Sequence, residues 1–577
     1  MSRILRIDTA KKTYAFEPAG PYAGLGGRAL TSRIVRQEVP ATCHPLGADN
    51  KLVVAAGLLT GTIAANSGRL SVGAKSPLTG TIKESNSGGT LSQKLARLDI
   101  IGIVFEGRPE ADAPLSTVVI TKDGVRFEDA SNLAGLGTYA LADELFAAYG
   151  SKVGTMLIGP AGEYKRLGAS IQLTDPKGHP SRAAGRGGLG AVMGSKRIKA
   201  VIVDDTGGSA PASADPERFK TAAKRWVEIL KNHPVTGQGL PGFGTSILVN
   251  IINEAGALPT KNFRSGKFEH AADISGERMV ELINQRGGVA KEGCHAGCII
   301  QCSQTYNDKD GKYLTSGFEY ETVWAFGANT TIKDIDVIAQ LDRMCDDLGL
   351  DTIEMGNTIA VAMEGGVIPW GDGPAALKLL GRVGTDKDWL GQIIGNGAGF
   401  AGQAFGVDRV PVVKNQALPA YDPRAVKGVG VTYATTPQGA DHTAGYAVCQ
   451  NVLQVGGKID GHCLAGNVEV SKNLQIATAA VDATGLCLFV AFAVLDTSDS
   501  LEVISELISS RFGIDFTVDD ITKAGISVLQ DEYAFNEAAG FTPAHDQLPE
   551  FFLKEKLPPH NVIWDFTIED LQKAKAL

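Results

Sequence analysis

Residues 198–233 read IKAVIVDDTGGSAPASADPERFKTAAKRWVEILKNH, and three kinds of sequence meet in them. Ile198 to Asp205 is a short run rich in β-branched residues, the pattern of a strand. From Asp204 on, Gly, Ser and Pro accumulate, and a domain boundary is expected there. PERFKTAAKRWVEILKNH then carries Ala222, Trp226, Ile229 and Leu230 close to helical period, as an amphipathic helix does. The same change divides the chain. Before it lie KLVVAAG, RLSVGAK, IIGIVFEG, STVVITKDG and TMLIG, short β-type runs separated by Gly, Asp and Asn, which predict a β-rich layer with tight hairpins. The opening MSRILRIDTAKKTYAFE alternates as strand, turn, strand. After it, helices fit TSILVNIINEAG, SGERMVELINQRG and KDIDVIAQLDRMCDDLG. A second break lies between Gly406 and Arg424, and the remainder reads as mostly helical. The fold class expected is therefore α+β: a β-rich domain over residues 1–207 and helical domains over 208–409 and 410–577.

The 577 residues exceed one hydrophobic core. With 44% hydrophobic and 21% charged residues the composition is that of a globular enzyme. A net charge of -9 argues against a general nucleic-acid binder. Seventy glycines exceed the usual ~7% of a chain. They cluster between apolar runs, as where backbone must approach a ligand closely. No signal peptide is visible at the start, and the longest apolar run, Leu486 to Leu495, is about half of a ~20-residue membrane span. It reads as a buried helix, and the chain as cytoplasmic.

Four motifs carry chemistry. Asp346-Asp347-Leu348-Gly349-Leu350-Asp351 and Asp482-Ala483-Thr484-Gly485-Leu486-Cys487 share the form D-x-x-G-L, each read as a helix end with glycine in the left-handed position. Asp351 also suits the cap of a following helix. Two such carboxylate-bearing turns suit a ligand with two equivalent halves. Cys294, Cys298 and Cys302 form a C-x3-C-x3-C triplet. A [4Fe–4S] cluster or a structural zinc needs four ligands. Zinc, which would use His295 or a second pair, and an open cluster of the S-adenosylmethionine-cleaving type, which uses C-x3-C-x2-C, match less well than a cluster whose fourth thiolate is distant. Cys487 is the candidate, and Cys43, Cys345, Cys449 and Cys463 read as small apolar core residues. SRAAGRGGLGAVMGSK, from Ser181 to Lys196, contains G-x-G-x-x-G, but DPKGHPSRAA before it does not read as a strand, so a dinucleotide site is not expected. Flanked by Arg182 and Arg186, the turn suits anionic phosphates. GRLSVGAKSPLTGTIKESNSGG, from Gly68 to Gly89, is a second region of that kind.

GRLSVGAKSPLTG with ESNSGG, then RAAGRGG, the cysteine triplet, EYETVWAFG, DDLGLD and DATGLC occur in the order seen in the aldehyde:ferredoxin oxidoreductase family, which the whole chain resembles. The resemblance implies a β-rich saddle closed by two helical domains over a tungsten bis-pterin, with one [4Fe–4S] cluster. By motif, Arg69, Asn86, Gly88, Arg182, Ala183, Gly185 and Arg186 would hold the pterin phosphates, with carbonyls of Asn86 and Ala183 helping to place a bridging Mg2+. Asp346, Leu350, Asp351, Asp482 and Leu488 would contact the pterin rings. Cys294, Cys298, Cys302 and Cys487 would hold the cluster. Glu321 and His442 match the family's acid/base positions. The implied reaction oxidises an aldehyde to a carboxylic acid, with electrons leaving to ferredoxin or a ferredoxin-like subunit in a hetero-oligomer. An electron-relay subunit with a degenerate pterin site, and a relative that reduces acids or aromatic acyl groups in a larger complex, are the alternatives. Three departures from the family pattern stand out. The triplet has one extra residue between its first two cysteines. Gln438 and Ala444 flank His442 where the family often carries Arg and Lys, so one set of pterin-phosphate contacts looks weakened or replaced. No histidine lies between His295 and His442, and Gln340 replaces an interface glutamate, so a metal-bridged homodimer is not expected.

Overall fold

The computed structural model describes residues 3–577. Two six-stranded sheets fill the N-terminal part. The first runs, in spatial order, Thr13–Pro18, Arg3–Asp8, Ile100–Glu106, Leu52–Ala56, Leu70–Lys75, Ile82–Ser87. The second runs Gly124–Asp129, Ser116–Thr121, Ile198–Val203, Gly154–Leu157, Ile171–Leu173, Arg182–Ala184. Position by position the topology is the same, down to the single parallel pairing in each sheet, Arg3–Asp8 on Ile100–Glu106 and Ser116–Thr121 on Ile198–Val203. The N-terminal part is thus an internal duplication. One core joins the copies, with Ile7, Val54 and Phe105 from the first and Met156, Ile171 and Val201 from the second. Because both faces of the central strands are covered, these runs read as continuous apolar stretches rather than alternating ones.

The β-rich reading holds, with additions. Each copy also carries a 12-residue helix, Gly27–Glu38 and Thr138–Tyr149, after a single 3-10 turn. Both helices follow the same tetrapeptide, Ala23-Gly24-Leu25-Gly26 and Ala134-Gly135-Leu136-Gly137. Arg182–Ala184 is also a strand, antiparallel to Ile171–Leu173 and three residues long. That corrects the reading of DPKGHPSRAA, yet a short antiparallel strand is not the parallel βαβ unit a dinucleotide needs.

From Pro216 on the chain is mainly helical. Helix Pro216–Asn232 buries Phe219, Ala222, Trp226 and Leu230 on one face, capped by the Asp215 side chain. A large core runs through both helical segments, joining Trp324, Phe326 and Ile338 to Val429, Tyr433 and Trp564. Leu486 to Leu495 is not one buried helix: Gly485 turns the chain, and the run is broken into a 3-10 turn Leu488–Val490 and a short helix Ala491–Asp496, with several side chains half-buried. Among the described residues no helix is long and apolar enough to cross a membrane.

Candidate active site

Both D-x-x-G-L elements are helix ends. Helix Ile335–Leu348 stops at Gly349 (φ 71°) and helix Asn467–Thr484 at Gly485 (φ 82°), left-handed positions that favour glycine. Asp351 caps helix Thr352–Glu364, its carboxylate accepting from Ile353 N at 2.9 Å. Each copy of the duplication clasps one of these ends. In the first, Leu59 N donates to Thr484 O, Arg69 N to Gly485 O, and a Cβ on Gly57 would lie 2.1 Å from Gly485 N. In the second, Ser170 N donates to Gly349 O, Thr138 Oγ1 to Asp346 O, and a Cβ on Gly159 would lie 2.3 Å from Leu348 O. The residues after the repeated tetrapeptide reach the two carboxylates differently. Arg28 Nη1 lies 3.4 Å from Asp482 Oδ2, whereas Tyr139 OH donates to Asp346 Oδ2 at 3.4 Å. Burial pushes the Asp482 carboxyl up to about 6 and Asp346 well above the usual range, the latter helped by neighbouring Asp342.

Between the clasped turns lies a cavity of about 610 Å³. Arg69, Gly88, Arg182, Ala183 and Gly185 line it from the sheets, and Asp346, Leu350 and Asp351 from one helix end. Cys487 and Leu488 line it beyond the other. Several polar atoms on this wall are buried without a partner: Arg182 Nε, Ser87 Oγ and Ser181 Oγ. Asn86, Arg186 and Asp482 are not among the lining residues, although the chain neighbours Ser87 and Gly185 are. Asn86 O accepts from Arg69 Nη2 at 3.1 Å. Arg186 commits its guanidinium to Asp351 Oδ2, Ala440 O and Ala417 O.

Glu321, in helix Tyr320–Phe326, and His442 meet in the same cavity, Oε1 and Nε2 3.2 Å apart and the side chains 14% and 13% exposed. No aligned hydrogen bond joins those two atoms. Glu321 Oε2 accepts from Ala420 N at 3.0 Å. Burial pushes the Glu321 carboxyl up to about 8 and the His442 imidazole down to about 4. Both shifts favour the neutral forms. Tyr421 and Tyr446, hydroxyls 2.6 Å apart, pack their rings around His442.

The cysteine triplet lies between strands Val289–Glu292 and Ser303–Asn307, and Cys294, Cys298, Cys302 and Cys487 are all buried. Cys298, Cys302 and Cys487 share one hydrophobic cluster, and Cys294, Cys302 and Cys487 line one cavity. Ligand atoms of Cys294, His295 and Cys298 all lie within 4.8 Å of one another. Asn66, left-handed at φ 61°, brackets the group: its Oδ1 accepts from Ile299 N, its Nδ2 donates to Cys298 Sγ at 3.4 Å, and its O accepts from Cys487 N at 2.8 Å. Of the cysteines read as core residues, Cys345 and Cys449 are buried, but Cys43 and Cys463 are half-exposed, because they sit in loops at the edge of the fold.

Residues 4–205 match the family model described as the aldehyde ferredoxin oxidoreductase N-terminal domain, and residues 221–573 that for its domains 2 and 3. The chain belongs to the aldehyde ferredoxin oxidoreductase family. It is an oxidoreductase. The tungsten-containing aldehyde ferredoxin oxidoreductase of Pyrococcus furiosus is 38% identical to it over 552 residues, 92% of this chain and 88% of that protein. The enzyme of the same description from Thermococcus kodakarensis is 36% identical over 581 residues, 96% and 92% of the two chains. A WOR-like subunit of an aliphatic sulfonate oxidoreductase from Pyrococcus furiosus is 27% identical over 460 residues, 73% of this chain and 70% of that protein. Among solved structures, the active-site complex BamBC of benzoyl coenzyme A reductase, with a dienoyl-CoA, superposes with a TM-score of 0.79 at 20% identity, covering 96% of this chain and 92% of that one. At that identity the likeness shows the fold alone.

Within this aldehyde ferredoxin oxidoreductase fold, motif reading missed several residues. Glu319, whose Oε2 accepts from Thr245 Oγ1 at 2.6 Å, is pushed up to about 7 by burial. Asp342, beside Asp346, and Glu84, beside Asp482, form a second buried carboxylate at each helix end, pushed up to about 7 and about 8 by burial. The repeated Ala-Gly-Leu-Gly tetrapeptide was the signal that would have exposed the duplication and so both clasps.

Proposed function

We propose that this chain oxidises aldehydes to carboxylic acids with a tungsten bis-pterin, and that the electrons leave through a [4Fe–4S] cluster to ferredoxin or a ferredoxin-like subunit. The observation that carries the reading is the joint lining of one cavity by the arginine-bearing turns, the helix end at Asp346, two of the triplet cysteines with Cys487, and the Glu321–His442 pair. The residues fit the group. Two clasps of like design, with a carboxylate at each, suit two like pterin halves, and Arg69 with Arg182 suits their phosphates. The Arg182 Nε without a partner is a donor awaiting an acceptor. Cys294, Cys298, Cys302 and Cys487, all buried, match the ligand count of a cubane. Asn86 and Ala183 carbonyls near the phosphate side suit Mg2+, a cation that takes oxygen ligands.

When bound, the tungsten centre supplies Lewis acidity and accepts two electrons. The protein's own part is orientation and proton handling. The overall change, aldehyde plus water to acid, two electrons and two protons, releases protons inside an apolar chamber. With Glu321 neutral and Oε1 3.2 Å from His442 Nε2 without an aligned hydrogen bond, its proton is available to a substrate oxygen, and His442 Nδ1 lies 3.9 Å from Asp441 Oδ1. The pair can hold a carbonyl by hydrogen bond, and His442, once its Nε2 is free, can accept a proton from water. Tyr421, Tyr446 and Phe492, all lining the cavity, pack ring against ring beside the pair. The intact cavity disfavours the electron-relay alternative.

The test is to assay the isolated chain with aldehyde and, in turn, oxidised benzyl viologen, oxidised ferredoxin, and NAD+ as electron acceptor. Turnover with viologen and ferredoxin but not NAD is expected, and direct NAD reduction by this chain alone would overturn the proposed electron exit.

A further inference from the structure

Lys83 is the second residue of strand Ile82–Ser87, and its side chain is only 1% exposed. Nζ donates to Gln438 Oε1 at 3.0 Å and to Asp441 Oδ2 at 2.9 Å. Gly187 makes room for the stem: a Cβ there would lie 2.5 Å from Lys83 Cγ. The loop that Lys83 reaches has no cation of its own, since neither Lys nor Arg occurs between Lys427 and Lys458. Arg186 is near, but its donors are committed to Asp351 and two carbonyls. Asp441 is held at both oxygens, Oδ1 by Thr443 N and Oγ1, and Oδ2 by Lys83.

We propose that Lys83 is a positioning residue of the active site, its ammonium pinning Asp441 and Gln438 so that the loop presents His442 Nε2 to Glu321 and keeps the Asp441 carboxylate off Nδ1. The use made of His442 rests on the aldehyde-oxidation reading, whereas the pinning does not. The groups facing His442 are Glu321 from helix Tyr320–Phe326, Tyr421 and Tyr446 from the flanking segments, Arg186 and Lys83 from the N-terminal part, and Asp441 beside it in the loop. Lys83 and Arg186 disfavour the imidazolium and Asp441 favours it, so burial keeps His442 neutral with their help. Without Lys83, Asp441 is both freer to move and less compensated.

Lys83→Met keeps the stem and removes the charge. Pairing it with Gln438→Arg returns a cation from the loop side. In the purified full chain, acylation of His442 by diethyl pyrocarbonate is followed against pH by peptide mass spectrometry, beside kcat and KM for aldehyde with viologen. In Lys83→Met the His442 titration moves upward, so modification at about pH 4.5, just above the wild-type value of about 4, slows roughly two-fold or more. kcat falls roughly 10–100-fold with KM little changed. The double variant recovers part of both. Should Lys83→Met not accumulate as folded protein, Asp441→Asn removes the same ion pair from the other side and must move the titration downward. An unmoved His442 titration in whichever variant folds, or a double variant no better than the single, overturns the proposal. If no form, wild type included, oxidises aldehydes while the titration still shifts, the reaction assigned above fails and the role of Lys83 stands.

Discussion

Glu321 and His442 lose their charges for the same reason, burial, which raises an acid and lowers a base. The Glu321 carboxyl, raised to about 8, stays protonated until the pH passes that value, and the His442 imidazole, lowered to about 4, stays neutral down to it. The shifts therefore favour the neutral pair between those limits. If both neutral forms are used, kcat/KM falls as Glu321 ionises above about pH 8 and as His442 protonates below about pH 4. Glu321→Gln and His442→Asn are expected to retain metal and iron while losing roughly 10²–10⁴ in kcat. Wild-type turnover in both would reduce them to cavity lining. Neither residue was legible from pattern alone. A histidine in Gln-Gly-Ala-Asp-His-Thr-Ala-Gly has no period or partner in sequence, and only the family resemblance pointed to it. Lys83 was illegible for a different reason: Ile-Lys-Glu-Ser-Asn-Ser reads as a polar strand, and nothing local says that both its lysine and its glutamate are buried.

At the scale of elements, the helix ends at Gly349 and Gly485 were readable because a left-handed cap requires a specific residue and the following leucine returns the chain to the core. The clasps were not, because they depend on glycines far away in sequence whose only mark is close backbone approach. The helices Gly27–Glu38 and Thr138–Tyr149 also escaped, each lying amid β-type runs and opened by glycine rather than by a capping side chain. What these elements achieve is proximity. Helix Asn467–Thr484 ends beside one arginine-bearing turn, and three residues past its end Cys487 hydrogen-bonds to Asn66, which also touches Cys298. Cys487→Ser is therefore expected to damage cluster assembly as badly as Cys298→Ser, although the two lie in different segments. Iron content is the readout, with Cys463→Ser, in an exposed loop, leaving it unchanged. A Cys487→Ser protein with its full iron and an ordinary cluster absorption would show that the fourth ligand lies elsewhere.

Across the whole molecule, the change from β-type runs to helical period after Asp204 was plain in the sequence and marks the change seen in the fold. The duplicated pair of six-stranded sheets was not, since identical topologies here share little sequence beyond one tetrapeptide. Duplication matters for function because it builds two like clasps from one design and so suits a ligand with two like halves. The copies have diverged at the second residue after each tetrapeptide, Arg28 reaching Asp482 and Tyr139 reaching Asp346, so the two halves of such a ligand would meet different charges. The central claim is that both clasps and the four cysteines hold a tungsten bis-pterin and one [4Fe–4S] cluster in the same chain. Elemental analysis of the purified protein, with fluorescent detection of released pterin, tests it most directly. The expected result is about one tungsten, about two pterins and about four irons per chain, with little zinc; aldehyde turnover in a preparation that holds no group-6 metal, or zinc in place of iron, would contradict it.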